Sequence, residues 1–303
     1  MAEVIDPKEF GVSFSVKQCR NFGLDPQETL DWLLQQGFRR FRLMSYWNEH
    51  EKEPGLYDFI DLDWQIKRVQ DAGGIITLCL GARQPRWPEN HWPAWAWQAD
   101  RDVRTTALLR YVQEVVKRYD KEPSITSYQL ENEALLKRWG DKPEVDRARL
   151  RAEFTLVKSL STKPIIMTTS TSWGIPIRKP QPDVVGFSYY NVIYRDGDYH
   201  TSLFYPWVHR LRKWQVITLR NRPVFIHELQ LEPWGPTAIW KMSIEEQDKS
   251  MNSEQITSNI KAARQIHAYP VDLWGGEWWY WRFRQGDKHI WHTVKAALTH
   301  DQQ

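Results

Sequence analysis

Residues 125–135, ITSYQLENEAL, decide how this chain is read. Ile125 to Leu130 suits a short buried strand, and it ends abruptly in Glu131, Asn132 and Glu133. Removing two carboxylates and an amide from water is costly unless each is paired or put to use. A second stretch, residues 223–236 (PVFIHELQLEPWGP), has the same form: the apolar run Val224 to Ile226 meets His227 and Glu228. Two strands that each deliver a glutamate at the C-terminal end, about 95 residues apart, suggest a pair of catalytic carboxylates on the rim of a barrel.

Working outward, the pattern repeats. Phe10 to Val16 alternates weakly and predicts a first strand. Asp25-Pro26-Gln27-Glu28 opens a helix, with Asp25 as N-cap, Pro26 in the first turn and Glu28 closing a capping box; the helix stops at Gly37. Phe38 to Trp47 is the second strand, Leu62 to Ala72 a helix, and Ile75 to Leu80 a third strand, apolar throughout as strands covered on both faces are. Thr105 to Tyr119 has helical periodicity, and so does charged Pro143 to Leu160. Strands five and six are expected at Pro164 to Thr169 and Asp183 to Tyr190, joined by a proline-rich connection. A helix over Phe204 to Arg220 precedes the seventh strand, which carries Glu228. A capping box at Ser243 and Glu246 begins a helical segment running, with a break, to His267. Val271 to Tyr280 is expected as the eighth strand and His289 to Leu298 as a closing helix. Eight strands alternating with helices, with no linker or repeat, predict one (β/α)8 TIM barrel spanning residues 1–303 as a single catalytic domain.

Bulk properties exclude several function classes. The net charge is +3 with cations and anions interspersed, so no nucleic-acid footprint stands out. No apolar run approaches 18 residues and no signal-peptide core follows Met1. The chain as given therefore reads as cytoplasmic with no membrane segment, or as exported if a leader has been trimmed; a monomer is expected. Cys19 and Cys79 lack CxxC or Cys/His spacing, which speaks against a disulfide framework, and Cys79 is expected in the core. The 18 tryptophans are unusual, and many cluster in PRWPENHWPAWAW and WGGEWWYWRF. Both clusters are read as lids or as stacking platforms for sugar rings.

If the barrel forms, its active site lies at the C-terminal strand ends. Those ends supply Arg42, then Arg83 and His91, then Asn132 and Glu133, then Tyr190, Glu228, and Glu277 with Trp278 and Trp279. Two carboxylates, a cation, a hydroxyl and aromatic surfaces fit glycoside hydrolysis. His227 and His91 beside Glu228 raise the question of a metal, but no HxH or HExxH spacing occurs, and neither metal nor organic cofactor is expected.

Asn132-Glu133 after strand four, with Glu228 on strand seven, resembles the retaining glycoside hydrolases of clan A, which contains the family 5 cellulases and mannanases. GFRRFRLMSYW resembles that clan's strand two, EKEPGLYDFIDLDW its β-galactosidase-like turn, and WGGEWWYW its tryptophan-bearing strand eight. PRWPE-x-H-x-P-x-W, Q-x-ENE and ELQ-x-EPWGP are similar to family-5-like hydrolases, and the likeness spans nearly the whole chain.

The resemblance implies Glu133 as acid/base, Glu228 as nucleophile, Asn132 as a ligand of the sugar 2-hydroxyl, and Arg42 and Tyr190 as contacts that keep Glu228 ionised. Arg83, His91, Trp278 and Trp279 would bind an oligo- or polysaccharide substrate. Ser188-Tyr189-Tyr190-Asn191 departs from the family's His-Tyr pattern on strand six, so Tyr190 is preferred over Tyr189, and His91 or Arg83 stands in for the family's histidine after strand three. Glu131 is read as structural or as a subsite residue, and Glu232 and Glu277 as sugar ligands or supports. The alternative reading is a barrel that binds glycan without cleaving it, or that mainly transglycosylates.

Overall fold

The computed structural model describes residues 4–136, 140–141, 145–171 and 180–299. Ten strands occur among them. They are β1 (Phe10–Phe14), β2 (Arg40–Met44), β3 (Ile75–Leu80), β4 (Ile125–Leu130), β5 (Ile165–Thr169), β6 (Val184–Tyr189), β7 (Val192–Arg195), β8 (Asp198–Thr201), β9 (Val224–Gln230) and β10 (Val271–Trp274). Eight close into a parallel barrel in the order β1-β10-β9-β6-β5-β4-β3-β2, while β7 and β8 form a separate antiparallel hairpin. This is the (β/α)8 barrel that the sequence predicts. All of β1, β2, β9 and β10 is buried, because helices cover one face of each strand and the barrel interior takes the other.

Most helices begin where local chemistry starts them. Asp25 accepts from the Glu28 N–H at 2.8 Å and Pro26 takes the first turn of Pro26–Gln35. Glu28 does not close a box: its carboxylate accepts from Arg284 instead. A reciprocal capping box does occur, between Asn252 and Gln255, at the start of Ser253–Ile266. The charged helix spans Arg147–Leu160, capped by Asp146; residues 142–144 and the proline-rich connection 172–179 lie outside the described residues.

The eighth strand is shorter than the sequence suggests. It stops at Trp274, and Gly276–Arg284 is a helix that carries Glu277, Trp278 and Trp279. Aromatic residues favour strands, but Gly275 turns the chain at φ 144°, and a Cβ there would lie 2.5 Å from the Leu231 carbonyl oxygen. The sequence reading also passes over the helices Val16–Asn21, Trp47–His50 and Ala94–Gln98 and the β7–β8 hairpin.

The chain falls into two compact units, one holding the N-terminal residues up to Arg40 and those from Phe187 onward, the other mainly Phe41–Ser170. In the first, β1 pairs with β10 (Phe10 opposite Val271) and β10 with β9. Its aromatic core sets Trp32 within 5.0–5.6 Å of the rings of Tyr280, Phe283 and Trp291. In the second, β3, β4 and β5 pair in sequence, and the helix Arg101–Tyr119 buries Leu108, Tyr111, Val112, Val115, Val116 and Tyr119. Tyr111 lies stacked on Trp47 and donates to the Ser45 carbonyl at 2.8 Å.

Within the first unit a buried ion pair joins Arg40 Nε to Asp272 Oδ1 at 2.8 Å, close against Gly11, where a Cβ would meet both side chains at 2.6 Å. Removing one partner strands a buried charge. Asp272→Ala should therefore lower stability by about 3–5 kcal/mol in urea titrations, and Arg40→Met with Asp272→Leu should recover much of that loss. A cost under about 1 kcal/mol for Asp272→Ala would show that the pair does not hold this region together.

Candidate active site

In the second unit, Glu131, Asn132 and Glu133 follow β4 directly, and all three are buried. Glu131 and Glu133 have left-handed backbones, φ 53° and 44°, a conformation that costs a non-glycine residue about 1–3 kcal/mol unless its surroundings impose it. The surroundings do impose it. The Glu131 N–H donates to the Leu80 carbonyl at 2.9 Å, Asn132 N–H to the Arg83 carbonyl at 2.7 Å, and Glu133 N–H to Thr168 Oγ1 at 2.8 Å.

The Glu131 carboxylate accepts from the backbone N–H groups of Ala82 and Arg83 at 3.0 and 3.1 Å. It fills the space beside Gly81 so closely that a Cβ on that glycine would lie 2.6 Å from Oε1. Glu131 thus ties the loop after β3 to the end of β4, which bears out a structural part for it. Arg83 completes the tie, its Nε donating to the Asn132 carbonyl at 2.7 Å. The Asn132 side chain is oriented by two neighbours: Nδ2 donates to Glu89 Oε2 at 3.0 Å, and Oδ1 accepts from Gln129 Nε2 at 3.2 Å.

Arg83 and His91, expected to meet substrate, are placed inside this loop. His91 is fully buried, its ring 4.4 Å from Tyr46 and its Nε2 3.1 Å from the Arg86 carbonyl oxygen. Arg42 is fully buried on β2. Sequence reading missed Thr168, Glu89, Arg149 and Glu153. Thr168 could have been found by the rule that exposed the glutamates, since it stands near the C-terminal end of β5.

Glu153 and Arg149 lie behind Glu131. Arg149 approaches the Glu131 carboxylate at 3.6 Å and donates to Glu153 Oε1 at 3.1 Å. Glu153 is fully buried, and burial first, then the charge of Glu131, push its carboxyl well above the usual carboxylate range. One cation between two buried carboxyls balances only one negative charge, which favours the neutral form of Glu153.

In the first unit, Glu228 sits within β9, two residues before its end. Its Oε2 accepts from the Tyr190 hydroxyl at 3.0 Å, and His227 Nε2 lies 3.7 Å from Oε1. Tyr190 is itself fixed: its N–H donates to Thr171 Oγ1 at 3.1 Å, and its ring meets Trp234 edge-on at 5.4 Å. Gln230, also on β9, accepts from the Asn191 and Val192 N–H groups at 2.9 and 3.1 Å and donates to the Val192 carbonyl at 2.6 Å. The strand that carries Glu228 therefore also anchors the segment that carries Tyr190.

Trp278 and Trp279 need correction along with their strand. Both are fully buried, and their indole N–H groups donate to Gln247 Oε1 and to the Leu231 carbonyl, each at 2.8 Å. With both faces packed, neither offers a platform to a sugar. Glu277 is also buried and accepts from the Ser15 N–H, a supporting part. In the other tryptophan cluster Trp87 is exposed, whereas Trp92 is buried beneath Arg104 and Arg149. Cys19 and Cys79 are both buried. Among the described residues no group of three or more His, Cys, Asp or Glu side chains is arranged to hold a metal ion, and no helix is long and apolar enough to cross a membrane.

No protein-family model matches the sequence, and no curated protein sequence is significantly similar to it. Solved structures are similar in fold. A GH5_18 enzyme from Streptomyces cattleya, solved with GlcNAc, matches with a TM-score of 0.64 at 13% identity, over 100% of this chain and 82% of that one. An endo-β-1,4-xylanase of glycoside hydrolase family 10 from Gloeophyllum trabeum matches with 0.60 at 13% identity, over 89% and 84%. The exo-β-1,4-mannosidase Op5Man5 from an Opitutaceae bacterium matches with 0.57 at 17% identity, over 88% of this chain and 51% of that one. The chain thus spans about half the length of that mannosidase, and a similar share of the β-galactosidases it matches. At these identities the likeness establishes the fold: a barrel of the kind that glycoside hydrolases are built on.

Glu153 provides a direct check of the buried pair. Its raised pKa means that the folded state holds a proton which the unfolded chain releases near the ordinary carboxylate value, so stability falls as pH rises above that value. Glu153→Gln keeps an oxygen to accept from Arg149 and does not titrate. It should match or exceed the parent in melting temperature, by a margin wider at pH 8 than at pH 5. A loss of melting temperature that is equal at both pH values would show that Glu153 is ionised in the folded protein.

Proposed function

We propose that the chain is a retaining glycoside hydrolase that cleaves β-glycosidic bonds, with Glu228 as nucleophile and Glu133 as acid/base. The observation that carries this reading is the Tyr190–Glu228 contact: a glutamate on a barrel strand, one carboxylate oxygen held at 3.0 Å by a tyrosine that is itself held in place. The second support is the sequence Asn132-Glu133 at the end of β4, where Glu131 and Glu133, on either side of Asn132, have left-handed backbones held by hydrogen bonds.

In the first step a Glu228 oxygen bonds to the anomeric carbon as the bond to the leaving oxygen breaks, and Glu133 gives that oxygen its proton. In the second, Glu133 takes a proton from water, whose oxygen displaces Glu228 and restores its carboxylate. Asn132 spends one amide hydrogen on Glu89, and its second is assigned to the sugar 2-hydroxyl. Arg42 is assigned as the cation beside the nucleophile. The whole chain would act as one catalytic barrel on an oligo- or polysaccharide, with no metal or organic cofactor. Similarity in fold to an enzyme solved with GlcNAc and to an exo-β-1,4-mannosidase makes β-mannosides and GlcNAc-containing disaccharides the first substrates to test.

Retention requires the two carboxyl groups about 5–5.5 Å apart, whereas inversion needs about 6.5–9.5 Å to admit a water. Proton NMR of the first-formed product should show the β-anomer, and turnover should survive EDTA. An α-anomer at early times would overturn the double displacement.

Mutation should separate the two glutamates. Glu228→Ala should stop turnover on every substrate. Glu133→Ala should still form the glycosyl-enzyme from aryl glycosides with good leaving groups, accumulate it, and release a β-glycosyl azide when azide is added. Azide added to Glu228→Ala should give the α-azide instead, by attack from the vacated face. A β-azide from Glu131→Ala but not from Glu133→Ala would reassign the acid/base. Binding of oligosaccharide with no cleavage of any aryl glycoside would favour a glycan-binding barrel.

A further inference from the structure

The helix Pro206–Arg220, in the first unit, has two faces of opposite construction. Its inner face buries Val208, His209, Arg212 and Val216. Arg212 lies 4.3 Å from the centre of the Phe187 ring and donates to the Thr171 carbonyl at 3.0 Å. That side is finished. Its outer face carries Trp207, Leu211 and Trp214, exposed by 58, 38 and 60%. Spacings of four and three residues set these on one stripe of a helix. Ile217 flanks the stripe, Leu203 and Tyr205 extend it before the first turn, and Leu219 stands near the last; all four are exposed. Of the fourteen large apolar side chains exposed among the described residues, seven fall in this short stretch. The grouping makes it a patch, and patches of this kind mark docking surfaces.

The charge on the same segment is one-sided. From Leu203 to Pro223 the sequence holds Arg210, Arg212, Lys213, Arg220 and Arg222 and no Asp or Glu. Arg210 is exposed, Lys213, Arg220 and Arg222 are half-buried, and Lys261 is exposed on the helix Ser253–Ile266. A groove of about 520 Å³ at the N-terminal end of the patch is lined by Tyr205, Pro206, Trp207, Arg210 and Gln265. A guanidinium there shares one surface with two aromatic rings.

Charge and composition together choose the occupant. A second copy docking through this face would set the same cations against one another, which disfavours a symmetric dimer. A sugar platform would need the aromatic rings but not the exposed Leu203, Leu211, Ile217 and Leu219. Tryptophan and tyrosine beside aliphatic side chains and flanked by arginine suit the boundary of an anionic bilayer, where rings sit at headgroup depth and cations pair with phosphates. We propose that the outer face of Pro206–Arg220 is a docking surface for anionic phospholipid membranes, which would hold the protein peripherally, lying on the bilayer without crossing it.

The test is co-sedimentation of the full chain with phosphatidylcholine vesicles that contain about one phosphatidylserine in three, against vesicles of phosphatidylcholine alone. The protein should bind the anionic vesicles, bind the neutral ones far less, and be released as salt is raised. Trp207→Ser with Trp214→Ser, and separately Arg210→Glu with Arg220→Glu, should each weaken binding about tenfold or more, with unchanged circular dichroism. Since the unsubstituted protein and the salt series need no variant, a misfolded variant leaves the proposal open to refutation. Failure to bind anionic vesicles, equal binding to neutral ones, or undiminished binding by both folded variant pairs would overturn it. So would a dimer, seen by light scattering, that Trp207→Ser with Trp214→Ser dissolves while vesicles are ignored, or a soluble acidic polysaccharide held by this face in their place.

Discussion

The buried Glu131 carboxylate, gripping the backbone N–H groups of Ala82 and Arg83, is the contact on which the second unit's strand ends depend. A carboxylate in a barrel wall must be given donors, and here the donors belong to the loop after β3. Meeting that demand fixes the loop, brings Arg83 to the Asn132 carbonyl, and sustains the left-handed backbones of Glu131 and Glu133 on either side of Asn132. Arg149 balances one negative charge, and burial with the charge of Glu131 pushes the Glu153 carboxyl upward, toward its neutral form, which lessens the cost of holding two acids and one base in the interior.

The first unit meets the same constraint by another route. β9 buries His227, Glu228 and Gln230 in one strand. Tyr190 gives Glu228 a donor, and Gln230 holds the chain at Asn191 and Val192, next to Tyr190. Support for Glu228 thus comes from a neighbouring residue of its own strand, through the segment that Gln230 pins. Trp234 closes on the Tyr190 ring and leaves that hydroxyl few alternative positions.

The aromatic content serves two ends. Around Gly276–Arg284, Trp278 and Trp279 are structural fillers whose N–H groups find acceptors within the protein, as buried indoles usually do. Along Pro206–Arg220, Trp207 and Trp214 have no such cover. Composition alone reports both as tryptophan, and the difference lies entirely in what packs against them.

By itself the sequence determined the eight barrel strands in order, several of the helix caps, and the two glutamates at or near strand ends. These are local properties: an apolar run, a capping residue and a polar group breaking a buried pattern are each read within a few residues. Tertiary structure decided the rest. Glu131 meets its donors 48 and 49 residues away, and Tyr190 meets Glu228 across 38, separations over which no local pattern carries information. WGGEWWYW has the aromatic content of a strand, yet a glycine turn and burial on both faces make it a helix. Arg83 and His91 are polar residues after a strand whichever way they point, and only the folded loop turns them inward to backbone carbonyls. Periodicity foretold the helix before β9 but not the composition of its uncovered face, because exposure depends on the neighbours that a helix acquires on folding.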